Sequence, residues 1–332
     1  MANKTRSILF VTPPYHCGVV EVAGSWPPLG FLYLAAQAEK AGWKAEIYDA
    51  MTLRDDFSQI EKRLCKTEFD IIATSAITPT FPDASELLAL AKKVNPEVVT
   101  IMGGVHPSFC FSEIFADPDC STDYIMAREG ENALFHFLSN FEDIGKRHQA
   151  PGLIYLENGK VKANPLPVLE ENLDALPVAW HLLDWSDYHY YVIPESRLGA
   201  VSTSRGCNHG CTFCSQQKFW DRIWRGRDPE KVTDEIVYLN KTYGINVFLF
   251  TDEYPTYERE RWEKLLDLII AKNLDIYILI ETRVEDIIRD EDILPKYRKA
   301  GIVHIYVGAE ATDQATLDKM NKEITVSESR RA

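Results

Sequence analysis

Between residues 7 and 140 the chain alternates between short apolar runs and stretches with the apolar spacing of a helix. The runs 7–12, 44–48, 69–74 and 97–102, and a shorter one at 123–126, read as strands. Residues 29–41, a charged stretch near 56–65, residues 83–94 and a segment starting at Glu131 read as helices. Pro28 suits a first helical turn and Gly42 a helix end. Strands joined by helices of this length form a parallel sheet covered on both faces. Ligands of such sheets sit beyond the carboxyl ends of the strands. The loops expected there are Pro13–Gly18, Ser75–Thr80, Gly103–Pro107 and Arg128–Glu131. Paired glycines allow close approach to the backbone, and small hydroxyl residues offer hydrogen bonds.

The middle of the chain reads differently. Asn158-Gly159, between apolar-alternating segments in 152–163, is a hairpin signal. A proline-punctuated stretch without clean periodicity follows, so 151–195 reads as a hairpin and linker between units at 1–150 and 196–332. Its aromatics, Trp180, Trp185, Tyr188, Tyr190 and Tyr191, either line a cavity or pin the linker.

The second half opens on a small-residue strand, 198–203, and then Cys207, Cys211 and Cys214. Cys-x3-Cys-x2-Cys can wrap three thiolates round one iron–sulfur cube and leave the fourth iron open. A structural zinc site wants four closed ligands, and His209 is the one further candidate within the loop. Cys17, Cys65, Cys110 and Cys120 are scattered and read as small core hydrophobes. The net charge is −14, with no run of Lys or Arg, which argues against a nucleic-acid partner. No window approaches ~18 uninterrupted apolar residues, so no membrane span is expected. The N-terminal apolar run is too brief for a signal peptide, and a cytoplasmic location is expected.

After the cysteines, strands at 246–251, 276–281 and 302–307 alternate with helices at 229–243, 257–272, 290–300 and 312–321. That is the pattern of a (β/α) barrel, whose active groups lie at the carboxyl ends of strands. Asp252-Glu253, Glu281, Arg283, Gly308 and Glu310 fall at such ends, as site groups or as rim salt bridges.

Two resemblances follow from these residues. The first half, about 6–145, resembles the cobalamin-binding domain found before many radical enzymes, through the interval from Ser75 to Gly103-Gly104 and the pair Gly130-Glu131. This implies that Ser75, Thr78, Gly103, Gly104, His106, Gly130 and Glu131 contact cobalamin. A cobalt-ligating Asp-x-His-x-x-Gly loop is not matched: Pro14 and Val19 flank His16 at the pattern's positions. The cysteine spacing, with Phe213 before the last cysteine, is that of radical S-adenosylmethionine enzymes. The resemblance implies a 4Fe-4S cluster on Cys207, Cys211 and Cys214, with S-adenosylmethionine contacted by Phe213, Glu253, Arg283 and Glu310. It also implies a reduced ferredoxin or flavodoxin as electron donor. The fold expected is α/β: a doubly wound, Rossmann-like cobalamin-binding domain followed by a partial radical S-adenosylmethionine barrel.

The run Cys214–Trp220, Arg225-x-Arg227-Asp228-Pro229, Asp252–Pro255, Asp49–Thr52 and Gly24–Pro28 are similar to the anaerobic magnesium-protoporphyrin monomethyl ester cyclases. Gln217 and Tyr254 depart from that family's Trp and Glu. The resemblance implies a porphyrin substrate. Its esterified propionate is oxidised, water supplies the ketone oxygen, and a carbon–carbon bond closes the fifth ring. Two other readings stay open: a cobalamin-dependent radical methyltransferase, and a non-catalytic binding module. Lys218, Arg222, Arg225 and Arg227, interleaved with Phe219, Trp220 and Trp224, either meet carboxylates of a flat macrocycle or open a barrel helix. Four strands where such barrels use six, and a capping box at Thr325–Glu328 close to Ala332, lead to the expectation of a truncated, weakly active barrel.

Overall fold

The computed structural model describes residues 5–16 and 22–332. Two compact units divide them: one holds the chain up to residue 169, apart from 22–27, together with 176–184, and the other holds 22–27, 170–175 and 185–332.

In the first unit, β1 (Ser7–Val11), β2 (Lys44–Tyr48), β3 (Ile71–Ser75), β4 (Val99–Gly103) and β5 (Tyr124–Met126) are parallel. The sheet order is β2-β1-β3-β4-β5 and continues through β6 (Leu153–Glu157) and β7 (Lys160–Ala163). Side chains alternate across a strand, so neighbouring residues enter opposite cores. Ile8, Phe10, Ile71, Ala73 and Ile101 pack with Phe31 and Ala35 of α1 (Leu29–Lys40) and with Leu134 and Phe137 of a later helix, Glu131–Ser139. Leu9, Val11, Ile72 and Met102 pack on the other face with Ile60 and Leu64 of α2 (Phe57–Lys66) and Leu87 and Leu88 of α3 (Phe81–Val94). Each Leu, Ile, Val, Phe or Met among them contributes about 1.5–3 kcal/mol when fully buried. Asp56 opens α2 through a capping box with Gln59.

The Asn158-Gly159 hairpin extends this sheet rather than standing in a connector. β5 pairs antiparallel with β6, and Asn158 and Gly159 take φ values of 51° and 73°, as a two-residue hairpin turn requires.

In the second unit, β8 (Leu198–Val201) begins a parallel four-stranded sheet. After it come the short antiparallel pair β9 (Ser204–Arg205) and β10 (Arg225–Gly226), then β11 (Val247–Phe250), β12 (Tyr277–Thr282) and β13 (Ile302–Val307). The four-stranded order is β13-β12-β11-β8. Helices Pro229–Tyr243 and Arg259–Lys272 alternate with the strands, and Trp262 lies fully buried against Phe250 and Tyr297. The helix expected at 290–300 covers only Leu294–Lys299, with Pro295 in its first turn, and a separate helix, Val284–Arg289, precedes it. Asp290 lies between the two helices. It is fully buried and accepts from Arg289 Nε and Tyr297 OH, each at 2.7 Å.

Trp185, Tyr188 and Tyr190 take the packing role rather than lining a cavity. All three are buried; Trp185 stacks beside Tyr188 and Tyr243, and Tyr190 OH meets His304 Nδ1 at 2.9 Å. Arg225 and Arg227 are buried as well. Arg225 donates to the Glu170 carbonyl; Arg227 pairs with Asp174 and Glu235 at 2.8 and 2.7 Å and donates to the Ser202 carbonyl. These two cations are committed to the fold, not to a ligand.

One buried carboxylate ties β8 to β11. Asp252 accepts from the N–H groups of Thr203 and Ser204, both at 2.7 Å, and from Thr203 Oγ1 at 2.6 Å. Burial pushes its carboxyl up to about 6, against the pull of those donors and of Arg261.

Two outcomes follow. Gly104 has φ +99°, and a Cβ there would meet Ala76 O and Ser75 Oγ at 2.6 Å. Gly104→Ala should therefore destabilise the first unit by about 2–4 kcal/mol. At Gly103 a Cβ would find only Met126 O, at 3.6 Å, so Gly103→Ala should cost less than about 1 kcal/mol. Urea unfolding of both variants checks the contrast. For Asp252 the folded carboxyl holds its proton more tightly than the unfolded one, so this group's contribution is present at low pH and is lost as pH rises through about 6. Asp252→Asn lacks that loss. Its melting temperature relative to wild type should move in its favour between pH 5 and 7.5, by the equivalent of about 1 kcal/mol.

Candidate cluster and cofactor sites

Cys207, Cys211 and Cys214 lie in the loop that leaves β9 and ends at the one-turn helix Gln216–Phe219. Gly206 enters it with φ +93°, and a Cβ there would overlap the Ile223 carbonyl, so only glycine fits. Glu253, at the end of β11, accepts from Gly206 N–H at 3.1 Å and from Trp220 Nε1 at 2.8 Å, holding the loop at both ends. Gln217 Nε2 donates to the Cys211 carbonyl at 2.7 Å.

The loop is also held from the far end of the chain. Thr212 N–H donates to Met320 O at 2.9 Å, Asn321 Nδ2 to Gly210 O at 3.0 Å, and Thr212 Oγ1 to Lys319 O at 3.2 Å. His209 Nδ1 meets Glu323 Oε2 at 2.8 Å, which turns this ring to a carboxylate of its own. Asn321 and Glu323 take left-handed backbone, φ 49° and 63°, to make these contacts. Residues 319–323 carried no motif; the sequence signalled only a helix ending nearby.

The thiols are close enough to influence each other. Burial pushes the Cys207 thiol up, and Cys211 and Cys214 add to that; the His209 N–H and Arg283 oppose it. Neighbouring thiolates repel, and iron charge removes that repulsion, so the donor set fits a cluster. Among the described residues no three His, Cys, Asp or Glu side chains converge on a single-ion site. A cube does not require that convergence, because each thiolate takes a different iron.

The other strand-end groups are placed as follows. Arg283 is buried after β12, with Nη1 3.8 Å from Cys211 Sγ and its remaining donors on Glu285 and the Lys322 carbonyl. Glu310, with φ +60°, pairs through Oε1 with the buried Lys322 at 2.8 Å. Phe213 is half exposed. Glu281 ends β12 beside Glu253; burial and the Glu253 charge both push its carboxyl up.

In the first unit, the strand order places a topological switch between β1 and β3, and ligands of such sheets bind beyond the carboxyl ends of the strands. Ser75, Thr78, Gly104 and His106 come together at the carboxyl ends of the neighbouring strands β3 and β4. Ala76 N–H donates to Gly103 O at 2.9 Å, His106 N–H to Ala76 O at 3.1 Å, and His106 Nδ1 meets Thr78 Oγ1 at 3.2 Å. The missing Cβ of Gly104 is filled by the Ser75 loop, so this glycine serves loop packing rather than open space. Ser108, which the motif reading passed over, links the next loop. Its Oγ donates to Gly104 O at 2.7 Å and accepts from Arg128 N–H at 2.9 Å. Gly130 caps the helix that Glu131 begins; a Cβ on Gly130 would press on Leu34. Ile77, Thr78 and Pro79 are exposed, leaving a rim of hydroxyl, imidazole and apolar groups. His16 is exposed; Cys17 and residues 18–21 lie outside the described residues.

Residues 15–138 match the B12 binding domain family, and residues 201–332 match the radical SAM superfamily. The chain is 37% identical over 330 residues to the anaerobic magnesium-protoporphyrin IX monomethyl ester cyclase of Rubrivivax gelatinosus, covering 98% of this chain and 59% of that protein. It therefore spans rather more than half the length of that relative. An uncharacterized methyltransferase of Pyrococcus horikoshii is 30% identical, covering 98% of this chain and 70% of its own. In fold, the chain is similar to the cobalamin-dependent S-adenosylmethionine radical enzyme OxsB with aqua-cobalamin bound. The TM-score is 0.76 at 20% identity, covering 98% of this chain and 47% of that one. The two family matches bring a 4Fe-4S cluster, S-adenosylmethionine and cobalamin as cofactors. With a B12 binding domain, a radical SAM domain and relatives that share both along nearly its whole length, this chain belongs to the cobalamin-binding radical S-adenosylmethionine enzymes.

Proposed function

We propose that this chain takes part in oxidative ring closure on a magnesium porphyrin ester, as an anaerobic cyclase. The observation that carries the reading is 37% identity to such a cyclase along 98% of the chain. Cys207, Cys211 and Cys214 would hold the cluster; when bound, it supplies the electron that cleaves S-adenosylmethionine. Glu253 follows β11 and Glu281 lies near the end of the neighbouring β12, close enough for the Glu253 charge to push the Glu281 carboxyl up, and an ammonium group between them would relieve that. Glu253 also orders the entry of the cysteine loop, so ligand binding and loop position act on one carboxylate. Phe213 supplies an exposed aromatic face for the adenine. Glu310 with Lys322 would line the ligand's far side. The Ser75, Thr78, Gly103, Gly104, His106, Gly130 and Glu131 loops would hold cobalamin by its tail. A ferredoxin or flavodoxin would supply the electrons. Among the described residues, no helix is long and apolar enough to cross a membrane.

The match to a methyltransferase favours a second reading, methyl transfer from cobalamin to a substrate radical. Products separate the two. Anaerobic protein given cobalamin, a low-potential reductant, S-adenosylmethionine and magnesium-protoporphyrin monomethyl ester should yield 5′-deoxyadenosine, methionine and a porphyrin with a fifth ring. S-adenosylhomocysteine and a product one methyl heavier would overturn the cyclase reading. Replacing Cys207, Cys211 and Cys214 together with Ala should lower bound iron and sulfide to background and abolish 5′-deoxyadenosine formation.

A further inference from the structure

We infer that Arg283 is a positioning residue for the iron–sulfur cluster, which sets its reduction potential through an N–H bond to the Cys211 sulfur. The inference rests on the reading that Cys207, Cys211 and Cys214 hold the cluster, and it deepens that reading.

The guanidinium has little freedom. Its Nε and Nη2 both donate to Glu285 Oε1, at 3.0 and 2.6 Å, and Nη2 also donates to the Lys322 carbonyl at 2.7 Å. Arg283 is only 6% exposed. A planar fork held on these three bonds can aim its last donor in one direction only. That donor is Nη1, and its acceptor is Cys211 Sγ at 3.8 Å, within range for sulfur. Cys211 is also buried.

The anchor explains why the aim is kept. The Lys322 carbonyl belongs to the segment that clasps the cysteine loop through Met320 and Asn321, and Lys322 itself is tied to Glu310. Sulfur and guanidinium are thus referenced to the same short stretch of chain. Shifting one relative to the other would break contacts on both.

Hydrogen bonds to cluster sulfurs and nearby positive charge are levers on iron–sulfur potentials. One-electron reduction makes the cluster more negative, so a cationic donor stabilises the reduced form more than the oxidised form. Arg283 therefore makes the cluster easier to reduce before S-adenosylmethionine binds. This differs from a role in gripping the ligand's carboxylate, which would act only when the ligand is present.

The test uses the anaerobically reconstituted chain without S-adenosylmethionine. Iron and sulfide analysis comes first: wild type lacking a cluster would fail the underlying cysteine reading, not this one. Redox titration followed by electron paramagnetic resonance should then show a more negative midpoint in Arg283→Gln than in wild type. Electron–nuclear double resonance in deuterated water should show an exchangeable proton coupled to the wild-type cluster and missing from the variant. Asn321→Ala removes one bond of the clasp and leaves the Arg283 donor in place, so it should shift the midpoint less than Arg283→Gln does. Three results would overturn the inference: an unchanged midpoint in Arg283→Gln, an unchanged proton spectrum, or an equal shift in Asn321→Ala. Should Arg283→Gln fail to retain iron, Arg283→Lys decides. It keeps the charge but loses the fork, so a lowered midpoint without the proton supports the inference, and wild-type values refute it.

Discussion

Where β8 ends, the chain must leave a parallel sheet and turn into a loop of cysteines, and the backbone groups released there need partners. Asp252 provides them, accepting two consecutive N–H groups and a hydroxyl from Thr203 and Ser204. Burying a carboxylate is costly, which is why its proton affinity rises. The donors make that burial tolerable and fix the angle at which the loop departs. The next residue, Glu253, continues the same work on Gly206 and Trp220. Two adjacent acidic residues at one strand end thus position both the approach to the cysteine loop and its closure.

The loop's other face is held by residues 319–323, over a hundred positions later in sequence. Each hydrogen bond of this kind is worth only about 1 kcal/mol net. Their value lies in number and direction, because they meet Gly210 and Thr212 on either side of Cys211. The pair of buried Lys322 with the exposed Glu310 and the Arg283 fork reinforce the same place.

Much of the fold was legible because its signals are local. Periodicity located the parallel strands of both units, Asn158-Gly159 located the hairpin, and Thr325 and Glu328 do form their capping box. Other features were hidden because they depend on distant partners. Nothing near Asp290 announces that it will be fully buried, although Pro295 marks the start of the helix after it. Arg225 and Arg227 look like a ligand-facing basic stretch until Glu170, Asp174 and Glu235 are seen to take them. Gly104 was noticed, but the Ser75 loop that fills its empty side belongs to another strand.

By itself the sequence determined the architecture of alternating strands and helices, the three thiols at fixed spacing, and the strand ends where charged groups would gather. Each follows from neighbours along the chain, where the period of a helix or the length of a loop leaves little choice. Only the tertiary structure decided which of those charged groups face one another. Arg283 reached a sulfur, Glu310 a lysine, and Glu253 the loop entrance. Pairings between residues tens of positions apart are set by how strands register and helices pack, and a burial penalty or a missing donor exists only once those elements have met.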